Sequence, residues 1–569
     1  VGRARYVALP IHEGEIDLRK TATRLLVLIL MLSFVLAGCS GGNDNPGNAG
    51  KEGGMSDSGE KVTINVFAHQ GSDMDLKTNK FTKKMEEQFG IKFNWTTVPF
   101  DGAAEKRQIS LASGDYPDLY MLIPWVDRFS QTDLLKFGQQ GVIIPLNDLI
   151  DEHAPHIKEV LENNEYYKAM NTAPDGNIYG LTGLNECFHC SYPNKMWINT
   201  KWLDQLGLAQ PTTPEEFKAV LEAFKTQDPN GNGKADEVPL SGSVENFGVH
   251  VIPYLMNGFI YNDDRTYLIM KEGQVDTAAN KPEWREALAY IQSLYDGGLI
   301  DPGAFTQNAG AYKKIGDNAD AQLLGAGAGM HPALFLTTGE DAPYSKDYNP
   351  LPPLRGPHAD YATFNYPIDP GASFVLTNKA SKEAQIAAIQ MLDYFYTQEG
   401  AMLSYLGEEG KSWRKPQDGE IALNDKVEPL YKAIPLEPGE QPRNDNWGAL
   451  TQYNHHRAYR DAEVQGTDIY ADDGYERRLY EATLLMEGKE PQDIFPHWAL
   501  WVDPLVADEA SMMQTNIKDY IDQNALLFIT GAKSLDKDWD DYVKGLEGLN
   551  MPRYIEIMQA AYDSSTISK

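Results

Sequence analysis

The sequence predicts an α/β protein built on a parallel sheet with helices packed against its faces. Two observations point there. From residue 62 to about residue 123 the chain alternates strand-like and helix-like patterns in the order strand, helix, strand, helix, strand. Beyond that it continues in amphipathic helices separated by short apolar runs, with no internal repeat and no second transmembrane segment. Length adds a third constraint. Once the leader described next is removed, 531 residues remain, enough for two or three lobes at ~150–200 residues each.

Taking the elements in order, Arg19, Lys20 and Arg24 precede the apolar run Leu25–Leu36, which is followed by "AGCSGG". A basic region, a short apolar region and small residues at a cleavage point make a secretory signal. A run of twelve residues is too short to span a bilayer, which needs about 20. The ending "LAGC" resembles a bacterial lipobox, which implies cleavage before Cys39 and lipid on its thiol. Residues 1–38 are then leader and signal. Residues 39–60 hold no aromatic or branched aliphatic side chain and read as a flexible tether. The whole chain carries 50 basic and 82 acidic residues, a net charge of −32; losing the leader's five bases and three acids leaves −34. That sign repels phosphate backbones and anionic lipid, so nucleic acid is excluded as a partner and the membrane is met only through the anchor.

The body opens with "KVTINVFAHQ", whose alternating apolar residues predict a strand from Val62 to Phe67. "NKFTKKMEEQFG" is helical, "IKFNWTTVPF" a second alternating strand, "AAEKRQISLASGD" helical and "YPDLYMLI" a short buried strand. In such sheets ligands bind beyond the carboxyl ends of the strands, which places His69, Gln70 and Trp125 beside a cleft. "NECFHCSYP" holds Cys187 and Cys190 with His189 between them. A second ligand pair for zinc is absent from the neighbouring sequence, so a local disulfide is the favoured reading and free thiols the alternative. Thr213, Pro214 and Glu216 punctuate the start of a helix as N-cap, first residue and capping-box partner. A further helix runs up to Gly297–Gly298, and "PGASFVLTNKASKEAQIAAIQMLDYFYTQEG" gives a strand, a turn and a long helix. The C-terminal part reads as mostly helical.

Directly after the Thr213 helix comes "DPNGNGKADEVPL". Asp228, Asn230, Asn232, Asp236 and Glu237 supply side-chain oxygens, Gly233 stands sixth where a sharp turn is needed, and Lys234 stands seventh, where a backbone carbonyl serves. Hard cations take roughly 6–8 such oxygens on a compact loop. A complete EF-hand would carry Glu at the twelfth position, where this chain has Pro239. The loop therefore reads as a structural calcium site, with an Asx/Gly turn as its alternative.

At this point the chain resembles a family. "LASGDYPDLY", "DGNIYGLTGL", "KWLDQLGLAQPTTPEEFKAVLEAFKTQDPNGNGKADEVPL", "YFYTQEGAMLSYLGEEGKSW" and "FITGAKSLDKDWDDYVKGLEGLNMPRYIEIMQAAYD" are similar to the extracellular solute-binding proteins of bacterial carbohydrate transporters. More narrowly, they resemble the large, lipoprotein-type, oligosaccharide-binding subset. The resemblance implies a two-lobed periplasmic-binding-protein-like fold of type II, each lobe a sheet flanked by helices, with the ligand cleft between them. On this basis residues 61–185 with about 370–440 form one lobe, and about 186–369 with 441–569 form the other, which contains the loop 228–237. It also implies a monomer, lipid-anchored on the outer face of the cell membrane, that delivers an oligosaccharide to the permease subunits of an ABC transporter. Family members carry structural calcium in a D-x-N-x-N-x-K-x-D-E loop, which Asp228, Asn230, Asn232, Lys234, Asp236 and Glu237 match without a gap.

Sugars present apolar C–H faces and dense hydroxyls, so their sites need flat aromatic plates and planar hydrogen-bonding groups. Trp125, Trp413 and Trp447 sit among polar, turn-forming residues and are the candidate plates. Gln70, Tyr453 and His455 are candidate partners, whereas Trp498 and Trp501 read as packed. The rival readings are a secreted glycoside hydrolase, needing two carboxylates about 5–9 Å apart, and a peptide-binding lipoprotein of the same architecture. No G-x-S-x-G, H-E-x-x-H or phosphate loop is present, and His153 and His156 lack metal-site spacing. The reading is a binder without chemistry.

Overall fold

Side-chain alternation orients the first sheet. In a computed structural model that describes residues 61–437 and 439–568, β1 (Val62–His69) turns Ile64, Val66 and Ala68 into one apolar cluster and Phe67 into another on the opposite face. β2 (Ile91–Val98) and β3 (Leu119–Met121) run parallel to β1, with Val62 opposite Ile91 and Val66 opposite Leu119. These are the strands the alternation predicts. The helices between them, Lys80–Gln88 and Ala103–Ser113, cover the sheet. Asn79 caps the first by accepting from the backbone N–H groups of Phe81 and Thr82. The leader, Cys39 and the tether lie outside the described residues.

A second sheet follows, of which the sequence reading named no strand. Its members are β4 (Met196–Asn199), β5 (Val238–Ser241), β8 (Leu324–Ala328) and β9 (Tyr348–Leu351), in the order β5-β8-β4-β9. Only β5 and β8 are parallel. Between them β6 (Leu268–Lys271) and β7 (Gln274–Thr277) form a hairpin over the turn Glu272–Gly273. The chain then returns, and β10 (Phe374–Leu376) closes the first sheet antiparallel to β3, with Phe374 opposite Met121. The first sheet is therefore mixed, not purely parallel.

Each sheet lies in its own core, flanked by helices, so the body has the two-lobed α/β form expected. The second core takes in the C-terminal helices Pro504–Ile529, Trp539–Gly548 and Met551–Ser564. The first takes in the long helix Lys382–Phe395 and, against expectation, Trp447, Leu450 and Tyr453. The boundary placed at 441 is thus too early, because Trp447 closes an aromatic box with Phe81, Phe93, Trp95 and Phe395 at ring-centroid distances of 5.0, 5.5, 5.4 and 5.9 Å. Further on the chain stitches the cores together: Phe495 and Leu500 belong to the second, Trp498 and Ala499 to the first. Among the described residues no helix is long and apolar enough to cross a membrane.

The helix Pro214–Thr226 begins as its punctuation predicts, Thr213 accepting from the Glu216 N–H at 3.2 Å. Glu216 does not complete a capping box. Its carboxylate takes the backbone N–H and the hydroxyl of Thr212 instead, both at 2.8 Å.

Candidate functional site

The site is built from segments that cross between the lobes. Asn185 and His455 pair as a parallel bridge, so the two crossings run side by side. The backbone N–H of Glu186 donates to the His455 carbonyl at 2.9 Å, and that of His455 to the Leu184 carbonyl at 2.8 Å. Close approach needs Gly183: a Cβ there would lie 2.9 Å from the Gln452 carbonyl oxygen. The same Cβ would sit 3.8 Å from Pro124, which links the crossing to the exit of β3, where Trp125 stands 57% exposed.

From there polar side chains continue toward the second lobe. Asn185 donates to Gln452 at 3.2 Å and accepts from Arg460 at 3.1 Å. His189 lies 3.3 Å from Glu476. Burial works to raise the Glu476 carboxyl, but the hydrogen bond and charge of His189 together with Arg460 and His331 outweigh it and hold the group below its usual range. Burial pushes the Glu463 carboxyl up to about 7 against the pull of Arg460, with Glu476 adding to the rise. His331, past the end of β8, is held down to about 4 by burial and by the neighbouring His189. Arg457 stacks over Phe188 at 3.6 Å and pairs with Glu487 at 2.7 Å, facing a cavity of about 210 Å³ that Tyr192 and Phe364 also line. The row is polar and ringed by aromatics. Such an arrangement can bind a hydroxyl-rich ligand.

The family comparison decides what kind of protein carries this cleft. Residues 72–402, more than half of the chain, match the model for bacterial extracellular solute-binding proteins. The chain belongs to that family. As a solute-binding protein it is 29% identical, over 97% of its length and 99% of the relative's, to the fructooligosaccharide ABC transporter substrate-binding protein FusA of Streptococcus pneumoniae serotype 4. An extracellular solute-binding protein of Bifidobacterium longum subsp. infantis shares the fold, with a TM-score of 0.72 at 21% identity, covering 89% of this chain and 98% of that one. S. pneumoniae FusA in complex with kestose aligns with a TM-score of 0.64 at 26% identity, over 88% and 99% of the two chains. An EF-hand mutant of the same pneumococcal protein aligns similarly, with a TM-score of 0.65 at 25% identity over 88% and 99%.

In this solute-binding protein the residues singled out from sequence fall into different places. Trp125 is exposed at the cleft end of β3. Gln70 is half-buried and accepts from the Leu76 N–H at 3.0 Å, pinning the loop after β1. Trp413 is partly buried, donates its indole N–H to the Gly407 carbonyl at 3.0 Å and packs beside Tyr431 and Tyr459. Trp447 and Tyr453 must be corrected. Both are core residues, 0% and 1% exposed, with the Trp447 indole donating to Thr82 at 2.8 Å and the Tyr453 hydroxyl paired with Ser373 at 3.0 Å. A ring enclosed on both faces offers no plate to a sugar. Trp498 and Trp501 are buried, as read. Asn185, Arg460, Glu463 and Glu476 were missed, because no local motif marks residues that meet across about half the chain.

Cys187 and Cys190 form a disulfide on the first crossing, which leaves His189 free to meet Glu476. The loop after Thr226 has the shape of a cation cradle. Asp228 takes the N–H groups of Asn232 and Gly233 at 3.1 and 2.9 Å, and Gly233 adopts φ +74°, where a side chain would be strained. The amides of Asn230 and Asn232 meet Asp236 at 3.0 and 3.1 Å. Turning each amide over would present oxygen in place of nitrogen. Glu237 Oε1 is buried without a partner, and burial raises that carboxyl above its usual range. A buried, orphaned carboxylate oxygen facing a set of oxygen donors fits a hard cation.

Proposed function

We propose that the protein captures an oligosaccharide outside the cell and hands it to the permease of an ABC transporter. The observation that carries this is the end-to-end alignment with a relative named as a fructooligosaccharide substrate-binding protein. The polar, aromatic-ringed crossings supply a surface suited to the ligand. On the same reading Cys39 is the lipid anchor that keeps the chain at the outer face of the membrane as a monomer. Calcium sits in the loop held by Asp228, Asn230, Asn232, Asp236, Glu237 and the Lys234 carbonyl, where it ties the end of the helix Pro214–Thr226 to β5. The likeness to a protein studied as an EF-hand mutant supports that assignment.

A calorimetric screen of residues 40–569 against neutral oligosaccharides, uronate oligomers and peptides tests the reading. One sugar class is expected to bind and to be recovered uncut. The protein should become more compact in solution scattering as the lobes close on it. Glycosidic cleavage that vanishes when a single carboxylate is replaced would establish the hydrolase instead, and binding of peptides alone would establish the peptide carrier.

A further inference from the structure

Buried polar atoms in folded proteins almost always find a hydrogen-bond partner, and each exception calls for an occupant. His455 is 1% exposed, and neither of its ring nitrogens has a partner. Its backbone is fixed by the crossing segments. Its ring is fixed by Tyr405, whose centroid is 4.3 Å away, and by Tyr459 at 5.4 Å. The Tyr459 hydroxyl, near that of Tyr431, also makes no full hydrogen bond. The next residues in this wall are Tyr431 and the half-buried Trp413.

We propose that His455, in its cage of tyrosines, is the contact through which the cleft recognises uncharged sugar hydroxyls and discriminates against uronates. The proposal rests on the oligosaccharide reading above. Burial, with Arg460 and His456 adding to it, holds the imidazole down to about 3. At neutral pH it therefore offers one donor and one acceptor. A pair of neighbouring hydroxyls, each able to donate and accept, matches both nitrogens. A carboxylate can only accept and leaves one nitrogen unmatched.

The surrounding charges work in the same direction. A uronate needs an unspent cation, and the guanidiniums near His455 are engaged: Arg460 with Asn185 and in the field of Glu463 and Glu476, Arg457 with Glu487 and, at 3.7 Å, Asp461. Bringing in a further carboxylate would bury an unpaired charge. On this proposal the lobes separate about the crossing segments to admit the ligand to His455.

His455→Phe keeps the ring packing and deletes both nitrogens. Kestose serves as the neutral probe and a galacturonate oligomer of equal length as the acidic one. The expected result is a melting temperature equal to or above wild type, since two unsatisfied buried atoms are gone, together with kestose binding weakened on the order of tenfold or more. His455→Gln, which restores a donor and an acceptor, should recover binding to within about threefold. Wild type should bind the galacturonate oligomer at least about tenfold more weakly than kestose. Should the Phe variant not fold, imidazole ¹⁵N NMR of the wild type decides, since bound kestose must shift the His455 nitrogens. Kestose affinity unchanged in folded His455→Phe, unshifted nitrogens at saturation, or equal affinity for the uronate would each overturn the proposal and leave a buried water as the occupant. A wild type that binds no oligosaccharide of any class sinks the broader reading instead.

Discussion

Trp125 and Trp447 read alike in the sequence, each flanked by polar and turn-forming residues. Their environments are opposite. Trp125 stands 57% exposed at the end of β3, while Trp447 is sealed among four aromatic rings with its indole N–H satisfied by Thr82. Truncating a fully buried tryptophan removes its transfer energy and leaves a cavity. Trp447→Ala is expected to cost about 3–5 kcal/mol in chemical denaturation, whereas Trp125→Ala should stay within about 0.5 kcal/mol of wild type. Equal losses in the two variants would show that the aromatic box is not built as described. Flanking polarity identifies a turn, but it does not say whether the ring in that turn faces solvent or core. Long-range neighbours settle that.

At the scale of elements, legibility followed length and pattern. β1 and β2 each run eight residues with clear alternation and were readable. The second sheet is made of strands such as "MWIN", "VPLS" and "LGAGA", too short and too uniformly buried to show a period. Only their pairing reveals them. The loop 228–237 is the opposite case, because its donors are neighbours in sequence and converge by local turn geometry. If calcium binds there, a cation held only by the folded state stabilises by about 2.7 kcal/mol at a hundredfold excess over Kd. Chelator should therefore lower the melting temperature of the wild type, and Asp228→Ala should lower it and abolish the response. A melting temperature indifferent to chelator, with no calcium found by metal analysis, would reduce the loop to an Asx/Gly turn.

For the whole molecule, burial of histidines sets a pH dependence with a definite sign. Burial holds His69 and His331 to about 4 and His455 to about 3, against 6.5 in the unfolded chain. Between pH 6.5 and about 4 the unfolded state therefore binds more protons than the folded one, and stability falls as the pH drops through that window. Glu463 acts in the other direction. Its folded value of about 7 exceeds the ordinary 4.5, so between 7 and 4.5 it favours the folded state as pH falls. His497, held down by burial, adds to the three histidines, while His250, raised by its hydrogen bond to Asp264, and Glu237, raised by burial, act with Glu463. The large shifts of His69, His331 and His455 set the net sign. Thermal melts from pH 7 to 4 should show the melting temperature declining from about pH 6.5, well before the ordinary carboxylate range. A flat profile down to pH 4.5 would mean that these rings are not kept neutral.

Local rules were sufficient for the strands of the first sheet, the start of the helix at Thr213 and the oxygen-rich loop, because each depends on residues within a few positions of one another. Motifs spread along the chain were sufficient for the family. The cleft was decided by tertiary structure alone. Asn185 and Arg460 are 275 positions apart, and they touch only because two crossing segments run side by side. The same return of the chain places β10 in the first sheet and closes Trp447 into its core. Periodicity and punctuation are properties of neighbours along the chain, whereas a ligand site joins neighbours in space, and the crossings that bring those residues together carry no local signature.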